Sequence, residues 1–284
     1  MINITTFPNS NTFWYYYSQN NNTNVDDFFI SSKRPLLVKN LDEIKSRGFD
    51  NNSLPLVLGQ NVPKDPTKFD FIIYFKILKT HLLGQNIIMN LELKNDVYLC
   101  LQLLSMTQQG LTILADQQTD INSGNYDTNM QRFVCPIGSL VFSFKLQRVD
   151  KNHSSLLEKL LGIAIVEALS TRSVVKQSKT EIKIQYIENS LTHPLYANNQ
   201  KIGGILTQLS NNDDVFDVSL GAGINVHDSV FSLNNITGGS STIILVSREE
   251  ILATFFNNFE SMYFTFINKG LEPFKDRLKL ISKL

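Results

Sequence analysis

The chain has 284 residues, of which 42% are hydrophobic, with 19 Phe and 9 Tyr. That is enough to bury one large core or two small ones, and it excludes wholesale disorder. Its 26 basic and 26 acidic side chains cancel and no apolar run is long enough to span a bilayer, so neither nucleic acid nor a membrane is expected as a partner.

From Pro8 to Asp27 the chain is Asn-rich, with Asn20, Asn21, Asn22 and Asn24 behind the aromatic cluster Phe13, Trp14, Tyr15, Tyr16 and Tyr17. This reads as a tail more than a core element, either a compositional bias or an aromatic docking segment. Pro63 and Pro66 bracket a linker, which divides the chain into an N-terminal segment, residues 1–65, of unassigned role and a main domain, residues 66–284. Strands are expected at Ile87 to Leu93, at Leu111 to Ala115, and where Leu140, Phe142, Phe144 and Leu146 alternate with Val141, Ser143 and Lys145. Ser155 and Glu158 form a capping-box pattern ahead of Leu156, Leu160, Ile163, Val166 and Leu169, which predicts a helix over 156–170. Two further strands alternate through Ile182, Ile184 and Tyr186, and through Phe216, Val218 and Leu220 before a Gly221-Ala-Gly223 turn. Ser247 and Glu250 repeat the capping box, and Ile251, Phe255, Phe259, Met262, Tyr263 and Phe266 make a helical stripe that Gly270 can end. Strands and helices in this mixture predict an α+β fold, a mixed sheet flanked by helices, rather than a regular parallel βαβ series.

Cys100 and Cys135 form no Cys-x-x-Cys pair and are expected to be buried thiols. His81, His153, His193 and His227 are scattered, without the spacing of a helical metal site, so no metal is expected. No Gly-x-Ser-x-Gly elbow is present, and Gly221-Ala-Gly223-Ile-Asn225 lacks the third glycine of a dinucleotide fingerprint. Lys201-Ile202-Gly203-Gly204 has two readings: a cation beside backbone that a phosphate can approach, or a hairpin turn begun at Asn198-Asn199-Gln200. The basic C-terminal residues Lys275, Arg277, Lys279 and Lys283 read as a solvated helical face, with docking of a carrier as the alternative. The N-terminus carries no basic region followed by an apolar core, so the expected compartment is cytoplasmic.

Taken in order, these pieces resemble the ligase domain of biotin protein ligases, especially holocarboxylase synthetases, over roughly residues 69 to 275. The resemblance rests on Phe69-Asp70, Tyr74-Phe75, Leu83-Gly84-Gln85 and Ala115-Asp116-Gln117-Gln118-Thr119. It continues through Pro136 and Gly138, Gly162-Ile-Ala-Ile-Val-Glu167, Lys201-Ile-Gly-Gly-Ile-Leu206, Gly221-Ala-Gly-Ile-Asn225 and Ser247-Arg-Glu-Glu-Ile-Leu252. It implies a fold like that of class II aminoacyl-tRNA synthetases. It also implies a two-step reaction, in which biotin and Mg-ATP give biotinyl-adenylate and the biotinyl group then passes to a lysine on a biotin carboxyl carrier domain of a carboxylase. Carried over residue by residue, Lys201 is the catalytic cation beside the biotin carboxylate and adenylate phosphate. Gln118, Thr119, Gly203, Gly204 and Asn225 are the ligand-binding positions.

The sequence departs from the family at three places. After Gln118-Thr119, where glycines and basic residues should alternate, it reads Asp120-Ile-Asn-Ser-Gly124-Asn-Tyr-Asp127, with the wrong sign for a phosphate. Lys-Trp-Pro-Asn-Asp is replaced by Gln185-Tyr-Ile-Glu-Asn189, and an alignment slipped onto Thr192-His-Pro-Leu-Tyr196 does not restore it. Glu92-Leu-Lys-Asn-Asp96 stands where a Ser/Thr-rich biotin contact is usual. The chain ends at Leu284, before room for the family's small β-rich C-terminal domain. The sequence therefore admits two functions: a ligase of weakened or lost activity, or a non-catalytic binding or scaffold module that keeps the ligase fold.

Overall fold

The computed structural model describes three short strands within residues 14–58 and, with interruptions of which 95–103 and 120–134 are the longest, residues 69–281. Seven strands form a mixed sheet in the order β4-β6-β8-β12-β11-β10-β9: β4 (Asn86–Asn90), β6 (Leu111–Ala115), β8 (Leu140–Asp150), β12 (Val215–Ile224), β11 (Gln200–Asn212), β10 (Thr192–Ala197) and β9 (Ile182–Ile184). Only β4 and β6 run parallel within this set; every other neighbour is antiparallel. On the free side of β4 the sheet is extended by β1 (Trp14–Ser18), β3 (Ser53–Leu58) and β2 (Arg34–Val38). Trp14–Ser18, expected as a tail, is thus a strand registered antiparallel to β4, Trp14 opposite Asn90 and Ser18 opposite Asn86. The strand expected over Ile87 to Leu93 divides in two. Its second part is β5 (Leu93–Lys94), which pairs with β7 (Gln118–Thr119) in a separate two-stranded sheet.

Residues directly opposite in an antiparallel pair point to the same side of the sheet. On one side lie Phe142 and Phe144 of β8, Leu220 and Ala222 of β12 and Ile205 of β11. This side is covered by α2 (Ser154–Ser170) and α5 (Arg248–Lys269). Phe142 and Phe144 meet Phe255, Phe256 and Phe259 of α5 at ring-centroid distances of 4.8 to 5.9 Å, the tilted and edge-on packing that aromatic quadrupoles favour. The other side carries Ser143, Lys145, Ser219, Gly221, Gly223, Gly204 and Leu206.

Helix α5 begins as its sequence dictates: Ser247 is the N-cap, its Oγ accepting from the Glu250 N–H at 3.1 Å, and Gly270 ends it at φ 64°. For α2 the capping-box expectation fails. Its N-cap position is His153, without a side-chain cap bond, and Glu158 reaches across to His193 instead, at 2.8 Å. His193 Nδ1 accepts from the Ile187 N–H, which leaves the proton of the neutral ring on the Nε2 facing Glu158. Gly221 to Gly223, expected as a turn, lies inside β12, which runs on to Ile224. The turn is at Asn198 and Asn199, both in the left-handed region (φ 48° and 64°), and it joins β10 to β11 as a two-residue hairpin. Lys275, Arg277 and Lys279 lie on or beside α6 (Lys275–Ile281) as surface ion pairs, Arg277 gripping Glu167 of α2 bidentately at 2.7 and 2.8 Å. Lys283 and Cys100 lie outside the described residues, and Cys135 is a buried free thiol.

Short α1 (Phe71–Ile77) and the turn behind it are held by buried polar side chains of α5. Glu260, 4% exposed, accepts the backbone N–H groups of His81, Leu82 and Leu83 at 2.6, 2.9 and 2.8 Å. Asn257 accepts from Lys79 N and donates to Ile77 O, and Glu249 accepts from Asp70 N. Glu260→Gln removes one acceptor and turns an amide donor toward backbone donors. It is expected to lower unfolding free energy by about 1.5–3 kcal/mol, measured as a shift of the urea midpoint at constant slope.

Candidate ligand site at one end of the sheet

The register gathers the candidate residues at a single end of the sheet. Asn90 pairs with Ala115, Ala115 with Val141, Val141 with Gly223, and Gly223 with Gly204. This end is formed by the C-terminal ends of β4, β6 and β12 and the starts of β8 and β11. Lys201, Gly203, Gly204 and Asn225 all belong to it. Gln118 and Thr119 follow β6 by three and four residues and form β7, registered against Leu93 and Lys94. Asp120 to Asp127 and Glu92 and Asp96 lie outside the described residues.

The side to which Lys201 points depends on an irregularity. The pairing steps from Leu195 opposite Gly203 to Tyr196 opposite Lys201, so Ile202 is an extra residue, a β-bulge. Ile202 is fully buried in the core. Lys201 therefore alternates to the opposite side and lies with Tyr196 on the face of Gly204 and Gly223. Burial holds the Lys201 ammonium below the ordinary lysine pKa, because a partly desolvated cation is less stable than a hydrated one.

Gly203 and Gly204 differ in what they permit. A Cβ on Gly203 would lie 2.2 Å from Gly223 O and 3.1 Å from Ile224 Cα, so the backbones of β11 and β12 approach too closely for any side chain. A Cβ on Gly204 would meet His193 O at 3.2 Å, tight but not impossible. It would also stand on the face that Lys201 shares. Asn225 is anchored by its backbone, N donating to Ile202 O at 2.7 Å and O accepting from Leu233 N at 2.9 Å. Its Oδ1 accepts from Ser139 Oγ at 3.3 Å. Both readings of Lys201-Ile-Gly-Gly are thus compatible, since the hairpin turn immediately precedes the lysine and orients it.

Several polar residues at or near this face had no signal in a single sequence. Lys145, side chain 2% exposed, lies two residues along β8 from Ser143 and pairs with Asp217 at 3.5 Å. Burial lowers its pKa and Asp217 raises it in part. Asn234, in the short helix α4 (Leu233–Ile236), donates through Nδ2 to Ile243 O and accepts through Oδ1 from Leu245 N. It ties the chain after β12 to the approach of α5. Arg248 at the start of α5 bonds Asp116 Oδ1 at 2.7 Å. These partners are 9 to 132 residues apart, and one sequence does not pair them. Among the described residues no group of three or more His, Cys, Asp or Glu side chains is placed to hold a metal ion, and no helix is long and apolar enough to cross a membrane.

Comparison with known proteins bears on the sequence and the fold. The chain is 27% identical over 248 residues to the chloroplastic biotin–protein ligase 1 of Arabidopsis thaliana, covering 84% of this chain and 64% of that protein. It is 25% identical over 238 residues to biotin–protein ligase 2 of the same plant, covering 80% of this chain and 69% of that one. The chain is thus similar in sequence to biotin protein ligases. Its fold matches a solved biotin protein ligase of Aquifex aeolicus in complex with biotin and ATP, with TM-score 0.51 and 20% identity, over 69% of this chain and 78% of that one. No family model matches. The chain spans somewhat less than two thirds of the length of the first of these plant ligases. The mixed sheet with helices on one side is therefore the biotin protein ligase fold, as the sequence resemblance implied.

Gly203→Ala is expected to destabilise this ligase fold at or above the upper end of the about 1–3 kcal/mol typical of overpacking, because only backbone could move to admit the methyl. Gly204→Ala should cost less. Urea unfolding of the two variants side by side checks the order, and equal costs would contradict the close approach of β11 and β12.

Proposed function

We propose that the protein is an ATP-dependent biotin protein ligase with reduced charge at its phosphate-binding side, so that biotinyl-adenylate forms slowly. The observation that carries this reading is the placement of Lys201 on the same face and at the same sheet end as Gly204 and Gly223, with Asn225 bordering it. In such a site Lys201 faces the biotin carboxylate and then the phosphate on which charge develops. Gly204 and Gly223 let the ligand lie against backbone, and Asn225 closes the end. Gln118 and Thr119 contribute from β7. A fixed cation matters most where charge grows in the transition state, because its orientation is already established before reaction. Biotin and the nucleotide are substrates here, and Mg enters with ATP rather than in a metal site of the chain's own. The acceptor is a lysine on a biotin carboxyl carrier domain of a carboxylase, and the proposed compartment is the cytoplasm.

One observation favours a second reading, a module that keeps the fold and binds a partner without catalysis. The segment after Thr119 carries Asp120 and Asp127 and no Lys or Arg before Arg132. Carboxylates there repel a triphosphate and forfeit the donors that would neutralise it.

Purified protein with Mg-ATP and labelled biotin separates the two when biotinyl-adenylate and transfer to a carrier domain are followed beside calorimetric biotin binding. The ligase reading expects product above the enzyme-free control and a loss of about 100-fold in adenylate formation for Lys201→Met. An unchanged rate in that variant removes Lys201 from the mechanism. Biotin binding without adenylate supports the non-catalytic reading, and absence of both overturns the ligase proposal.

A further inference from the structure

The start of α5 carries a feature that helix physics disfavours. Arg248 is the first residue of the helix, where the macrodipole favours negative charge, and it is 3% exposed. Its Nη1 donates to Asp116 Oδ1 at 2.7 Å and to Ser139 O at 3.3 Å. Asp116 directly follows β6, two residues before Gln118, and is itself 8% exposed. Ser139 directly precedes β8, and its Oγ donates to Asn225 Oδ1. One guanidinium nitrogen therefore joins three segments: the end of β6 that leads to Gln118 and Thr119, the start of β8, and through Ser139 the end of β12.

A buried ion pair is a costly way to fill space, since apolar side chains of similar volume commonly do as well. What the pair adds is direction. The two N–H groups of Nη1 fix the angle between its acceptors, whereas Leu or Met would let the strand ends slide. Apolar packing elsewhere on α5, through Phe255, Phe256 and Phe259, already secures the helix on the sheet. Arg172 offers a comparison. It bonds Glu250 at 2.8 Å and Thr254 at 3.0 Å near the same helix end, both of them residues of α5 itself.

We propose that Asp116 and Arg248 are positioning residues of the ligand site: their ion pair sets the spacing between the chain carrying Gln118 and the strand end carrying Asn225, and thereby biotin affinity. The ligand part of this proposal rests on the biotin ligase reading.

Asp116→Asn and Arg248→Lys test it, with Arg172→Lys as the control. Each full-length variant is followed by urea unfolding, calorimetric titration with biotin, and hydrogen exchange at residues 111–116, 139–140 and 225–226 against 251–266 within α5. The expected result is a loss of biotin affinity of about tenfold or more in both test variants. Exchange should speed up at the strand ends with that of 251–266 unchanged, and the control should match the wild type. Wild-type affinity with wild-type exchange at the strand ends overturns the proposal. So does faster exchange spread equally over α5, which makes the pair a general stabiliser. If the wild type binds no biotin, the ligase reading falls by itself and the exchange pattern alone decides the positioning role.

Discussion

Helix α5 constrains the rest of the molecule because its buried side carries hydrogen-bonding charge as well as aromatic carbon. Phe255, Phe256 and Phe259 fix its height above β8, while Arg248, Glu249, Asn257 and Glu260 fix what surrounds it along its length. Hydrophobic contact alone is non-directional, and it would tolerate a helix rotated or shifted by part of a turn. Three backbone N–H groups converging on the Glu260 carboxylate do not tolerate such a shift, since all three would lose their acceptor and that of Leu83 would be left buried and unpaired. The segment from Phe69 to Gln85 is thereby held by its backbone, and the sheet end that carries Lys201 is tied to Arg248 in the first turn of the same helix.

Charge within this chain is local, not global. The net charge is zero, yet two lysines are buried or half-buried on the sheet face away from the helices. Lys145 is answered by Asp217, so its field is largely cancelled within the fold. Lys201 is at the end of the sheet where Gly204 and Asn225 also lie, half-buried, so a negative charge brought beside it would be screened weakly. The biotin ligase fold thus brings Lys201, Gly204 and Asn225 together independently of the charge of the sequence after Thr119.

Much of the fold could be read from local pattern. The limits of β6 and the whole of α5, from Ser247 to Gly270, follow from periodicity and caps because those signals lie within a few residues of the structure they cause. Lys201, Gly203 and Gly204 stood out from their residue types as a cation beside approachable backbone or a hairpin turn, Gln118, Thr119 and Asn225 only through the ordered resemblance, and the structure brings Lys201, Gly203, Gly204 and Asn225 to one end. The failures have a common origin in distant partners. Glu158 had a local role open to it as a capping residue, but His193 on β10 took it. Gly221 and Gly223 looked like a turn because glycine so often is one, whereas both lie within β12, where Gly221 lets β8 approach closely. The aromatic run at Trp14 looked like a tail because its partner, β4, lies some 70 residues away in sequence.

The bulge at Ile202 makes the chemistry of the site a matter of counting. Whether the β10–β11 hairpin offers water and ligand a lysine or a hydrocarbon depends on one supernumerary residue between Tyr196 and Gly203. With the same residues in strict alternation, Lys201 would share the side of Gly203, the ammonium would turn toward the core, and Ile202 would take its place on the opposite face. Two chains with identical residues here would thus present different side chains through pairing register alone, a difference to which comparisons based on residue identity are blind.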